Sequence, residues 1–214
     1  MKRIFFFILV GILLWNTSVR AGNENLLLVN RFHPLPAQEE DDLPLVPLRW
    51  TRQDGRKPQR MRPQAAEALD AMLDEAARVG FSDLSVTSAY RCRAEQAALF
   101  ETAKQRYLAA GYSEKDALRL TKRYHAAPGE SEHETGLAAD LHNLPAASVA
   151  FAKTEAYHWL LAHAADYGYI LRYPAGKEDV TGIAFEPWHF RYVGVEAAKE
   201  IAQNGLTLEE YLGE

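Results

Sequence analysis

Ser131-Glu132-His133-Glu134-Thr135-Gly136-Leu137-Ala138-Ala139-Asp140 sets an imidazole and a carboxylate seven residues apart around a glycine in an otherwise apolar run. Glu186-Pro187-Trp188-His189 supplies a second imidazole and a spare carboxylate, beginning 46 residues after Asp140. His133, Asp140 and His189 together give two nitrogens and one oxygen. Three protein ligands with a fourth position open is the pattern of catalytic zinc, which lowers the pKa of its water to about 7. The chain reads first as a zinc hydrolase. Pro187 lacks a backbone donor and biases Glu186 toward extended backbone, so Glu186 and His189 belong on a strand or turn and not on one helix. Glu186 is then free to act as general base without being a ligand.

Outward from these motifs, the chain alternates helical and strand signals. Leu69, Met72, Leu73 and Ala76 recur at helical spacing behind Pro63, which predicts a helix ending at Gly80. Leu84 to Ser88 alternates apolar and hydroxyl side chains, a strand with one buried face. Helices are expected from Arg93 to about Leu108, with Phe100, Ala103 and Tyr107 on one face, and from a Ser113/Asp116 capping box to about Tyr124. Gly136 favours a turn and then a strand, Leu137 to Leu141. A helix from Thr154 to Tyr167 should turn Tyr157, Leu160, Leu161 and Ala164 inward, leaving His158 and His163 as ordinary helix residues. Strands are expected at Tyr169 to Arg172, Ile183 to Phe185 and His189 to Val193, with a turn from Pro174 to Asp179. A helix from Val195 to Gln203 and a short one capped by Thr207 and Glu210 close the chain. The expected fold is α+β: a single domain with an antiparallel sheet packed against helices and a zinc site on the sheet.

Residues 1–21 have the outline of a cleaved signal: Lys2 and Arg3, an apolar run from Ile4 to Trp15, then small and polar residues to Ala21. That run falls short of the roughly 20 residues a membrane span needs. Residues 22–62, with His33-Pro34-Leu35-Pro36, an acidic cluster at 38–42, Pro44 and Pro47, read as an extended arm wrapping the domain. Its Leu26 to Val29 run is a strand or extended segment, and Thr51 to Arg60 a polar loop. Residues 63–214 form the catalytic core. The formal charge is −5, and −8 without Lys2, Arg3 and Arg20, with no basic block, which argues against nucleic acid as a partner. A lone cysteine, Cys92, excludes an intrachain disulfide and reads as a small packing residue.

The pattern Ser-x-His-x-x-Gly-x-Ala-x-Asp at Ser131 to Asp140, followed by Glu-x-Trp-His at Glu186 to His189, resembles the VanY-type D-alanyl-D-alanine carboxypeptidases, zinc peptidases of bacterial peptidoglycan of the LAS type. The likeness extends to Leu28-Val29-Asn30 with His33-Pro34-Leu35-Pro36, to Ser88-Ala89-Tyr90-Arg91, and to Trp188 through Gly194. It implies Zn2+ on His133, Asp140 and His189, Glu186 as catalytic base, and Arg91 holding the substrate or stabilising its oxyanion. Gln96 and Ser131 match positions that line the peptide's terminus. A guanidinium just after a strand also suits a carboxylate, which it can fork with two parallel hydrogen bonds. Trp188 reads as a packing wall beside His189. Cys92 stands where the family often has serine. The expected protein is an exported, monomeric enzyme, in the periplasm, cell envelope or medium, acting on stem peptides ending in D-alanine. The same metal motifs serve L,D-carboxypeptidases, D,D-dipeptidases and endopeptidases, and a wall-binding module without catalysis is the reading from a different class.

Overall fold

The computed structural model describes residues 24–36 and 43–214. The expected signal segment and the acidic cluster at 38–42 lie outside the described residues. Helix α1 (Pro63–Arg78) starts on Pro63, whose missing N–H costs nothing in the first turn, and buries Ala65, Ala66, Leu69, Met72, Leu73 and Ala76. Strand β3 (Ser85–Ser88) follows, after a two-stranded pair made by β1 (Val46–Pro47) and β2 (Arg60–Met61). Next come α2 (Arg93–Ala109) and α3 (Glu114–Tyr124), packed on each other. Strand β4 (Ala138–His142), helix α4 (Glu155–His163), β5 (Tyr169–Leu171), the single turn α5 (Glu178–Thr181), β6 (His189–Tyr192), α6 (Val195–Asn204) and α7 (Leu208–Leu212) complete the order.

Four strands form one antiparallel sheet in the order β3-β4-β6-β5. Its two faces do different work, because side chains alternate along each strand. Val86, Ala139, Leu141, Phe190 and Tyr192 point into the main core with α1 and α4. Asp140, His189 and Arg191 point to the opposite face. A smaller apolar cluster joins Leu26, Ile170, Val193 and Ile201 to Leu208 and Tyr211 of α7. The sheet and its helices are the α+β arrangement expected.

Local chemistry sets several boundaries. Gly136 adopts φ +70°, and a Cβ there would come within 2.9 Å of Leu45, so only glycine turns the chain from the 3-10 turn Glu132–Thr135 into β4. Thr207 and Glu210 cap α7 reciprocally, each side chain taking the other's backbone N–H. At α3 only half of the expected box forms: Ser113 Oγ accepts from Asp116 N, while the Asp116 carboxylate accepts from the Ser113 hydroxyl. Cys92, not singled out as a cap, starts α2 with its N–H on Glu95 Oε2 at 3.1 Å.

Other expectations are corrected. Ile183 to Phe185 is not a strand; its Ala184 N–H donates to the Arg123 carbonyl at the end of α3, so no neighbouring strand is there to extend a ladder. Leu161 is 45% exposed, because α4 buries a narrow arc through Ala156, Tyr157 and Leu160, and the last turn continues as 3-10 helix through Tyr167. The turn after Pro174 runs into α5, closed by Gly182. Leu26 ends a 3-10 turn and Leu27 to Val29 is irregular, while Arg60 leaves the expected loop to pair in β2.

Beneath the polar face of the sheet lies a buried ion network. Arg172 Nε and Arg191 Nη1 both donate to Glu132 Oε1, at 2.6 and 2.7 Å. The Arg172 fork pairs with Glu209 at 2.8 and 2.6 Å, and Asn30 Nδ2 also reaches Glu209, at 3.2 Å. Arg191 Nη2 donates to the carbonyls of Asn25 and Leu27. The four ions are 5% exposed or less at their side chains, so removing one partner leaves an uncompensated buried charge. Glu209→Ala should therefore lower unfolding free energy by about 3 to 5 kcal/mol. Urea titration followed by circular dichroism measures it; a change below about 1 kcal/mol would be the size of an exposed pair.

Candidate metal centre

Asp140 on β4 and His189 on β6 are direct cross-strand partners, which places both side chains on the polar face of the sheet. The turn before β4 brings in His133. Asp140 Oδ1 lies 3.4 Å from His133 Nε2 and 3.4 Å from His189 Nδ1, and the three donor atoms all lie within 4.8 Å of one another. Atoms 2.0 to 2.1 Å from a tetrahedral zinc are about 3.3 to 3.4 Å apart, so both distances from Asp140 fit, and the third pair stays within 4.8 Å. Asp140 Oδ1 is also buried without a hydrogen-bond partner, a cost that a cation between these donors removes. The donor set and its geometry suit zinc.

Each imidazole is held from its far side. His133 Nδ1 donates to the Ala89 carbonyl at 2.6 Å; a carbonyl only accepts, so the hydrogen is on Nδ1 and the Nε2 lone pair faces Asp140. His189 uses its other nitrogen. Its Nε2 faces Glu132 Oε2 at 3.5 Å, and neither atom has another partner in hydrogen-bond reach. Glu132 was not marked by the sequence as anything beyond a spacer, yet it is fully buried and fixed by two arginines. The only signal was its place beside His133, which is too weak to single it out.

Glu186 to His189 forms a turn in which His189 N–H donates to the Glu186 carbonyl at 3.2 Å, with Pro187 presetting its second position. The turn aims the Glu186 carboxylate back at the metal donors, with Oε2 3.6 Å from His189 Nδ1. Burial pushes Glu186 up to about 8, against the pull of His189 and Arg91. Burial pulls His189 down, but the facing carboxylates of Asp140 and Glu132 outweigh it and raise it to about 9. Burial, with Arg91 nearby, takes His133 down to about 4. Asp140 stays well below the usual carboxylate range: burial raises it, and the two imidazoles more than offset that. A cation among these donors displaces protons from nitrogen and favours ionised Glu186.

These residues open into a cavity of about 340 Å³ that also contains Arg91, Gln96, Ser131, Tyr173 and Trp188. Arg91 Nη1 is 3.8 Å from Asp140 Oδ2 and 2.5 Å from Ser88 Oγ. Arg91 Nε donates to Gln96 Oε1 at 3.0 Å, and Gln96 Nε2 donates to the Ala126 carbonyl at 2.7 Å. Gln96 thus lines the cavity but spends both ends of its amide on positioning Arg91. Ser131 is a buried wall residue. Trp188 is half-buried against the main core, as expected of a packing wall. Cys92 is half-buried beside Arg91, and His158 and His163 stay on α4, where His163 stacks on Trp159.

A two-histidine, one-aspartate donor set with a glutamate at its side, on the polar face of an antiparallel sheet, defines a zinc metallopeptidase. Residues 58–195 match the family described as VanY, D-alanyl-D-alanine carboxypeptidase. A D-alanyl-D-alanine carboxypeptidase of Enterococcus faecalis is 37% identical over 199 residues, 92% of this chain and 69% of that protein. Among solved structures, a mutant of the D,D-pentapeptidase VanY from a VanB-type vancomycin resistance cassette, in complex with Zn(II), aligns with TM-score 0.74 at 36% identity, over 89% of this chain and 99% of that one. The LD-carboxypeptidase LdcB aligns with TM-score 0.77 at 39% identity, over 89% and 86%. The chain belongs to the VanY carboxypeptidase family.

Carboxylates that hold a metal-bound histidine typically account for 10- to 100-fold in metal affinity. Glu132→Gln, which also neutralises one of the buried ions and so lowers stability, should weaken zinc binding of the folded fraction by about that factor. Competition with a chromophoric chelator reads the affinity; an unchanged affinity would leave Glu132 a purely structural ion.

Proposed function

We propose that this chain is an exported carboxypeptidase that removes the terminal D-alanine from peptidoglycan stem peptides, with His133, Asp140 and His189 holding zinc. The single observation that carries this is the Glu186 carboxylate, 3.6 Å from His189 Nδ1 and inside the cavity that holds Arg91. A module that only binds has no use for a carboxylate poised there. When bound, zinc polarises the scissile carbonyl and acidifies a water.

Glu186 takes the proton of the attacking water as its oxygen bonds to the carbonyl carbon, then delivers that proton to the departing amine as the C–N bond breaks. Arg91, pinned by Ser88 and Gln96, pairs with the free carboxylate of the chain end. The enterococcal carboxypeptidase relative supports D-alanyl-D-alanine ends as substrates. The likeness to an LD-carboxypeptidase favours a second reading, in which the bond cut lies between an L-centre and a terminal D-alanine. Export is supported by the leader-like composition of residues 1–21 and by the likeness to LdcB, which recognises peptidoglycan. Among the described residues, no helix is long and apolar enough to cross a membrane.

Mass spectrometry of stem pentapeptide and tetrapeptide after incubation with the zinc-loaded protein separates the two readings by which one loses an alanine. Glu186→Gln keeps the side chain's shape but cannot take the proton; zinc content should stay at one per chain while turnover falls about 10²- to 10⁴-fold. Wild-type turnover in this variant would move the base elsewhere, and loss of zinc would make Glu186 a ligand.

Arg91→Ala on the natural peptide and the wild type on a peptide amidated at its terminus should lose similar kcat/KM, each corresponding to about 2 to 5 kcal/mol. Combining them should cost far less than the sum, because one interaction is lost only once. Additive losses would put Arg91 on the scissile carbonyl, and undiminished cleavage of the amidated peptide would indicate an endopeptidase.

A further inference from the structure

Beside the metal cavity lies a second cleft of about 420 Å³, and the two share Ala126, Tyr173 and Ile183 as common wall. Its cations are Arg31, Lys115, Arg119, Lys122 and Arg123, against one lining acid, Glu130. That concentration runs against the background of a chain whose formal charge is −5. It has a simple origin in the sequence. Lys115, Arg119 and Lys122 fall at i, i+4 and i+7 on α3, so one face of that helix is a basic stripe. The opposite face buries Ala117 and Thr121. Leu118, 42% exposed, sits within the stripe, and Ile183 and Tyr173 add apolar wall across from it.

Among the described residues, ion pairs take up little of this charge. Arg119 makes one exposed contact, with Asp116 at 3.4 Å. Arg31 and Arg123 lie over the rings of Phe32 and Tyr124. Among the described residues, Arg31, Lys115, Lys122 and Arg123 form no ion pair with a carboxylate. A groove with an apolar floor and a cationic rim, opening from an active site, fits an extended peptide that carries carboxylates.

We propose that this cleft binds the part of the substrate on the amino side of the scissile bond and selects stem peptides whose side carboxylates are free. The proposal rests on the peptidase reading given above. A chain end held at Arg91 leaves the rest of the peptide to run out of the metal cavity. At about 3.3 to 3.6 Å per residue, carboxylates two or three positions before the cut fall within reach of a neighbouring cleft. The cations on the rim steer and hold such a peptide through long-range attraction, so they act on KM and weaken with salt.

The test compares two stem peptides that differ only at the γ-D-glutamyl residue, one with a free α-carboxylate and one with a carboxamide. The readout is the ratio of their kcat/KM values within each protein, which is independent of the amount folded. Wild type should prefer the free acid about tenfold at low salt, through KM, with the preference fading as salt rises. Lys115→Gln/Arg119→Gln/Lys122→Gln, all at exposed positions, should bring the ratio close to unity. A wild type without preference, or a triple variant that keeps it, overturns the proposal. Calorimetry with the tripeptide L-alanyl-γ-D-glutamyl-L-lysine, which has no D-alanine to lose, keeps the cleft testable apart from turnover. If wild type cleaves neither peptide but binds the tripeptide more tightly than the triple variant does, the cleft stands and the peptidase reading falls. If it cleaves neither and binds no better than the variant, the cleft falls too.

Discussion

One carboxylate oxygen, Asp140 Oδ1, sits buried between two imidazole nitrogens at 3.4 Å each and has no hydrogen-bond partner of its own. An anionic oxygen in that position is unfavourable unless a cation shares it, and the surrounding structure is arranged to keep it there. The antiparallel register of β4 with β6 sets Asp140 opposite His189. The left-handed turn at Gly136 carries His133 to the same place, and the Ala89 carbonyl and Glu132 hold the two rings from behind. Glu132 is in turn fixed by Arg172 and Arg191, which reach Glu209 in the last helix and the carbonyls of Asn25 and Leu27 near the start of the described chain. The geometry of the metal donors is thereby tied to both ends of the chain.

The dependence explains why so large an ionic cluster is tolerated. Desolvating four ions is expensive, and an apolar replacement of similar volume is often as stable or more so. What an apolar cluster cannot do is present an acceptor to the far nitrogen of His189. The network therefore makes more sense as a device for orientation than as a source of stability.

The parts legible in the sequence were those where residue type and spacing carry the chemistry locally. His133, Asp140, Glu186 and His189 converge in space, and Pro187 announced the turn that presents Glu186. Helix α1 followed from Pro63 and a clean apolar period. What was hidden depended on partners distant in sequence. Arg172 and Arg191 lie in expected strands and drew no reading of their own; their role shows only when Glu132 and Glu209 are seen against them. The two-residue strands β1 and β2 are too short to show any period, and Leu161 lies one position beyond a buried arc whose width only packing decides. Ile183 to Phe185 has strand composition but meets the end of a helix. Gln96 was placed at the cavity by resemblance, and its hold on Arg91 became visible only in the hydrogen bonds.

Two histidines and one carboxylate converging on Asp140 Oδ1 suit a zinc ion. X-ray absorption at the zinc edge, on protein loaded with one equivalent of metal, tests this assignment most directly. A four-coordinate spectrum of nitrogen and oxygen scatterers at about 2.0 to 2.1 Å is expected, with the outer-shell signal of two imidazoles. The signal of one imidazole should vanish in His133→Ala and again, independently, in His189→Ala. A six-coordinate oxygen-only spectrum, or one unchanged by both substitutions, would contradict it.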